Sequence, residues 1–118
     1  MAGPRANSSR SFEVWTIATF DRQLKVLAKR HASLKSDYAA LLDDLEHDPF
    51  MGAALGNACY KVRMAIASKG EGKSGGARVI LHIMVHEHRV WLLSIYDKAD
   101  IDNIPIREIK QLLKEVPR

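Results

Sequence analysis

The sequence predicts an α+β fold: a small antiparallel sheet packed on helices, with element order β-α-α-β-β-β-α. Three observations carry this expectation. Two segments between residues 21 and 48 repeat apolar residues at helical spacing, three segments between 60 and 97 alternate with a period of two, and an amphipathic stretch follows Pro105. The 118 residues suit one small domain.

Taken in order, Met1 to Ser11 is small and polar with no apolar run, which predicts a disordered tail over 1–11 and a folded domain over 12–118. Phe12 to Phe20 is rich in β-branched and aromatic residues and predicts a first strand. Asp21 offers an N-cap for a helix carrying Leu24, Leu27 and His31 at helical spacing. With no partner nearby in sequence, His31 reads as a helix-surface or packing residue. In the second helix Leu34, Tyr38, Leu41, Leu42 and Leu45 form one apolar stripe; Ser33 or Ser36 caps its start and Asp48-Pro49 ends it. Its last turn carries Asp43, Asp44, Glu46 and Asp48, acids that oppose the helix dipole and are either tolerated at the surface or face cations elsewhere.

Phe50 to Ala58 reads as an irregular connector. Tyr60, Val62, Met64 and Ile66 then alternate with Lys61, Arg63, Ala65 and Ala67, a half-buried strand with two cations on its outer face. A Gly/Lys/Ser loop spans Ser68 to Gly76. The next strand buries Val79, Leu81, Ile83 and Val85, with Arg78, Ile80, His82 and Met84 opposite. After the polar turn His86–Arg89 comes a strand with Trp91, Leu93 and Ile95 inward and Leu92, Ser94 and Tyr96 outward. Pro105 introduces a last helix with Ile106, Ile109, Leu112, Leu113 and Val116 on one side.

Charge is placed unevenly. Residues 11 to 50 hold seven acids and five bases, whereas 60 to 78 hold five bases (Lys61, Arg63, Lys69, Lys73, Arg78) and one acid, Glu71. Positive charge concentrated on a neutral-to-acidic scaffold points to a polyanion partner such as nucleic acid, although an inert solvated face has the same composition. A single Cys59 excludes an internal disulfide and fits a reducing compartment, so the cytoplasm is expected. No stretch approaches the roughly 18 apolar residues of a membrane span, and no membrane partner is expected.

Two familiar chemistries fit poorly. Gly72-Lys73-Ser74 invites a phosphate-loop reading, but the glycine required five residues earlier is Ala67, and the segment leads into a strand rather than a helix N-terminus. His82, His86 and His88 lack a matching Cys or carboxylate set for a metal, so neither metal nor small-molecule cofactor is expected. The cations are different. Lys61 and Arg63 share a strand face, Arg78 opens the neighbouring strand, Ser94 and Tyr96 face the same way one strand further, and Lys98 follows. Arginine offers a bidentate fork to phosphate oxygens, and a lysine crowded by cations has its pKa lowered toward that of a base.

KVRMAIASKGEGKSGGARVI, followed by WLLSIYDKADIDNIP and IREIKQLL, resembles the RelE/HigB branch of bacterial type II toxins, within the RelE/ParE superfamily, over residues 12 to 117. The resemblance implies the RelE-like fold and a metal-independent endoribonuclease that cuts mRNA, commonly on the ribosome, neutralised by a cognate antitoxin. It places Lys61 and Arg63 at the family's paired basic positions, Arg78 at its phosphate-binding arginine and Lys98 at the basic position after the third hairpin strand. Tyr96 belongs to the I-Y-x-K motif and Lys73 to the loop motif; Lys69 and His82 are further candidate RNA contacts. Some relatives carry a proton-donating tyrosine or histidine where this chain reads Asp102-Asn103-Ile104, which leaves the acid open between Tyr96 and Lys98. A gyrase-directed ParE-like toxin and a catalytically decayed RNA- or antitoxin-binding module are the alternatives.

Overall fold

In the computed structural model, which describes residues 11–117, one five-stranded sheet is flanked by three helices. The expected tail, apart from Ser11, lies outside the described residues. Strand β1 (Glu13–Thr16) leads into α1 (Ala18–Arg30) and α2 (Leu34–His47), followed by β2 (Ala53–Gly56), β3 (Cys59–Met64), β4 (Ala77–Met84), β5 (Arg89–Asp97) and α3 (Ile106–Leu113). The sheet order is β1-β5-β4-β3-β2. The α+β architecture is the one expected, with two differences in the sheet.

First, the sheet is mixed. Short turns at 57–58 and 85–88 and the longer 65–76 loop make β2 to β5 an antiparallel meander, but β1 pairs parallel with β5, Val14 opposite Val90 and Trp15 opposite Trp91. Two helices and three strands separate β1 from β5, a connection long enough for a parallel pair. Second, the 50–58 connector holds the edge strand β2. Ala-Ala-Leu-Gly carries almost no alternation, so nothing in its pattern announced a strand. It is tied to β3 by a two-residue turn, Asn57-Ala58, in which both residues have φ of 56°.

Local boundaries shift for physical reasons. The first strand ends at Thr16 because Phe20 is needed in the core as a helical residue, fully buried on α1. The helix N-cap is Ile17, and Asp21 lies in the first turn, its N–H bonded to the Ile17 carbonyl. On α2, Leu34, Leu41 and Leu45 are buried as the stripe predicted. Val85, expected inside, is 53% exposed because β4 stops at Met84. Ile80, Leu92 and Tyr96, expected outside, are buried. A register shift between Ile80 and Leu81 disturbs strict alternation, and consecutive residues of β4 and β5 are buried, so these central strands are covered on both faces. α2 packs against β1 and β3, and α3 packs on β5 with Ile109 and Leu112 buried and Val116 buried just beyond its end. Each such large apolar side chain contributes roughly 1.5–3 kcal/mol.

The outer edge of β5 is shared between elements. β1 pairs along Arg89–Leu92 only; beyond it α1 takes over, where Gln23 Oε1 accepts from the Ile95 N–H (2.9 Å) and the Ser94 hydroxyl (3.1 Å). No described helix is long and apolar enough to cross a membrane.

Candidate functional site

Register builds the site. Arg63 on β3 is opposite Arg78 on β4, which is opposite Tyr96 on β5; one step along, Lys61, Ile80 and Ser94 are aligned in the same way. Residues two apart on a strand share a face, so both rows lie on one side of the sheet. Beside them opens a cleft of about 500 Å³. Lys61, Arg63, Lys73, Arg78 and Lys98 line it, with Asp102 as its one carboxylate, and Asn103 and the 51–53 segment complete the walls.

Glycines permit this convergence at two close approaches. A Cβ on Gly76 would lie 2.2 Å from the Met64 carbonyl oxygen, so only glycine lets the loop cross β3 and enter β4. A Cβ on Gly52 would lie 2.3 Å from the Lys61 carbonyl oxygen, which is how the 51–53 segment reaches the cleft wall. Past the last β4–β5 pair, the Lys98 N–H bonds to the Gly76 carbonyl (2.9 Å), fixing Lys98 beside the loop.

Arg78 has a double character. It is 7% exposed, and its guanidinium donates to the carbonyls of Lys73 (3.0 Å), Ser74 (3.1 Å) and Ala77 (3.2 Å). It therefore holds the Gly-rich loop in shape while lining the cleft. Lys61 Nζ donates to Asn103 Oδ1 (2.9 Å), and Lys98 Nζ pairs with Asp102 Oδ1 (2.5 Å). The Lys98 hydrogen bond and charge, with a further pull from Lys61, hold the Asp102 carboxyl below its ordinary range. Asp102 is thus an anion in this cleft and not a stored proton.

The remaining predicted residues stand apart from the cleft to different degrees. Tyr96 follows Arg78 in register but is buried and does not line the cleft; its hydroxyl has no hydrogen-bond partner among the described residues. Burial, against the pull of Arg78, raises its pKa, so it keeps its proton. Lys69 is turned inward, paired with Asp97 at 2.8 Å and near Glu71 at 3.5 Å. The hydrogen bond to Asp97 raises its pKa. His82 lies at the far end of β4 opposite Cys59, its Nδ1 3.1 Å from the Asn57 carbonyl and 3.7 Å from Cys59 Sγ. Burial pushes that thiol up to about 11, which leaves it inert. Among the described residues no group of three or more His, Cys, Asp and Glu side chains is arranged to hold a metal ion.

The sequence reading missed the supports. Asp97 is 2% exposed and gathers Lys69, His31 Nε2 (2.9 Å), the Ala99 N–H (2.9 Å) and Arg30 (3.6 Å). His31 is therefore a partner of a buried carboxylate. Its mate is 66 residues away, so no local signal could have shown it. The 51–53 wall was missed for the same reason, and Asn103 was named only within the Asp102-Asn103-Ile104 stretch, not as the partner of Lys61.

Fold and cleft together define a small α+β protein with a cationic pocket on one sheet face, built around a basic β-hairpin. The family model for the RelE toxin of the RelE/RelB toxin–antitoxin system matches residues 14–116, and the chain belongs to that family. Solved structures agree on the fold. The toxin–antitoxin complex RelBE2 from Mycobacterium tuberculosis is similar over 80% of this chain and 99% of its own, at 18% identity and a TM-score of 0.58. A mutant of the E. coli toxin RelE in the free state is similar over 89% and 93%, at 15% identity and 0.53. The isolated E. coli RelE toxin is similar over 86% and 98%, at 15% identity and 0.52.

Proposed function

We propose that this RelE-family toxin is an endoribonuclease that cleaves mRNA engaged on the ribosome in the cytoplasm, and that a cognate antitoxin neutralises it. The convergence of five cationic side chains from β3, the Gly-rich loop, β4 and the end of β5 on one cleft carries this reading. A phosphodiester is the ligand such a set fits: Arg63 and Arg78 offer forked donors to its oxygens, and the lysines add charge around it.

In the proposed reaction Lys61 removes the proton from an RNA 2′-OH, whose oxygen attacks the adjacent phosphorus. Arg63 and Arg78 stabilise the charge that develops on the non-bridging oxygens. The P–O5′ bond breaks, the 5′-oxygen takes a proton, and a 2′,3′-cyclic phosphate remains. Of the two candidate donors, Lys98 lines the cleft and Tyr96 does not, so Lys98 is assigned as the acid. Asn103, bonded to Lys61, orients the base. The antitoxin's role follows from family membership and from the RelBE2 complex; an acidic segment laid across the cleft would meet the five cations.

One observation favours a second reading. Lys61 and Lys98 are both occupied by Asn103 and Asp102, as they would be in a module that binds RNA or antitoxin without cutting. Expression of the toxin alone, with mapping of mRNA 5′ ends, separates the two. New ends inside open reading frames together with growth arrest support cleavage; arrest with intact mRNA leaves the binding module or a gyrase-directed toxin.

A further inference from the structure

The cationic cleft does not stop at Arg63 and Lys73. Those two residues and Met51 also line a second, smaller pocket of about 150 Å³ that opens between α2 and the end of β3. Asp44 and Leu41 line it from α2, and Met64 lines it from β3. Leu41 and Met64 are buried in the core, whereas Met51 is 39% exposed at the boundary between the two pockets.

The charges around this pocket are unusual in what they leave undone. Asp44, Arg63 and Lys73 are exposed and of opposite sign, yet among the described residues none of the three side chains pairs with another within 4.0 Å. Asp37, also at the pocket, is already used: its Oδ2 accepts from the Ser33 hydroxyl (2.7 Å) and the Ala67 N–H (3.1 Å). Acceptors on α2 and donors on β3 and the Gly-rich loop thus share one pocket with the apolar side chains of Leu41, Met51 and Met64. The gap has room for about five waters, or for one planar heterocycle.

We propose that this pocket is a nucleobase subsite in which Asp44 selects a base bearing an exocyclic amino group. A nucleobase has two apolar faces and an edge of alternating donors and acceptors, the pattern of these walls. Cytosine, adenine or guanine gives an amino donor to the Asp44 carboxylate and turns ring-nitrogen or carbonyl acceptors toward Arg63 and Lys73. Uracil has no amino group and sets a carbonyl oxygen against the carboxylate. Arg63 and Lys73 belong to both pockets, so a phosphate in the main cleft and its neighbouring base are held by the same two side chains. The subsite rests on the reading of the main cleft as an RNA-phosphate site. It also gives Asp44 a role beyond that of a tolerated acid in the last turn of α2.

The test compares binding of an all-uridine decamer with decamers carrying one central cytidine, adenosine or guanosine, by fluorescence anisotropy over a salt series. The wild-type protein binds the substituted decamers between about 5- and 100-fold more tightly than the all-uridine strand. Asp44→Asn, whose amide can donate to uracil, collapses that ratio, while Asp43→Asn, with the same change in net charge, leaves it in place. A wild-type ratio under 2-fold, or a ratio that survives Asp44→Asn, overturns the subsite while salt-dependent binding keeps the phosphate site. If no decamer shows salt-dependent binding, the phosphate site fails and the subsite fails with it.

Discussion

Asp97→Asn should be among the most damaging isosteric changes in this protein, although the residue lies outside the cleft. The carboxylate is 2% exposed and joins four pieces of chain: the Gly-rich loop through Lys69, the α1–α2 junction through His31, α1 through Arg30, and the β5 exit through the Ala99 N–H. The amide can still accept from Ala99 but leaves Lys69 with only the exposed Glu71, 3.5 Å away, as a counter-charge. Removing one member of a buried ion pair costs about 3–5 kcal/mol. Lys69 and His31 keep 15% and 14% side-chain exposure, so solvent screening lowers this to about 2–4 kcal/mol. In a domain of this size that is a loss of roughly 10 °C in Tm. Burial pushes the Asp97 carboxyl up, but hydrogen bonds from Lys69, the Ala99 N–H and His31 outweigh it and hold the group below its ordinary range. A lowered folded pKa means the stabilisation is fully present above about pH 4 and fades as pH falls through the folded value. Urea denaturation followed by tryptophan fluorescence should therefore show wild type losing stability on acidification more steeply than Asp97→Asn. A double-mutant cycle with Lys69→Met should give a coupling of about 1–3 kcal/mol. Stability within about 0.5 kcal/mol of wild type at pH 7, or no coupling, would refute the assignment of Asp97 as the loop anchor.

Three further outcomes are expected. Asp102→Asn removes the cleft's one carboxylate and frees Lys98, so single-stranded RNA should bind several-fold more tightly with a salt slope steeper by about 0.7; unchanged affinity with lost cleavage would give Asp102 a catalytic part instead. Ala58→Gly relieves a left-handed alanine at the β2–β3 turn and should raise urea stability by about 0.5–1 kcal/mol, whereas a loss would contradict the turn geometry. Gly76→Ala would drive a Cβ into the Met64 carbonyl and should cost at least about 3 kcal/mol by the same assay, and a neutral result would mean the loop enters β4 differently.

What could be read in advance, and what could not, follows from how far each signal reaches along the chain. Alternation in Tyr60–Ile66 and around Arg78 gave β3 and β4 and set Lys61 and Arg63 on one face, because pleat and register act over a few residues. The apolar stripe of α2 was equally local. β2 escaped because Ala53–Gly56 has neither alternation nor β-branched residues, and Ile80, Leu92 and Tyr96 were placed outside because alternation does not reveal a second covering layer. Positive charge marked Lys69 and Lys73 alike. Only the fold separates Lys73, which lines the cleft, from Lys69, which turns inward to a carboxylate 28 residues away. Gly76, Asp97 and Asn103 lie inside the stretches that carry the family resemblance, but their partners, like the place of Gly52 in the wall, are set by long-range contacts.

The measurement that bears most directly on the central claim is the single-turnover cleavage rate of ribosome-programmed mRNA by purified wild-type, Lys61→Ala and Arg63→Ala proteins. These two residues are chosen because, unlike Arg78, neither has a side-chain hydrogen bond to the Gly-rich loop among the described residues. The account predicts cleavage by wild type and losses of about 10²–10⁴ for Lys61→Ala and 10²–10³ for Arg63→Ala, with folding intact. Cleavage that persists at the wild-type rate in both variants would contradict it.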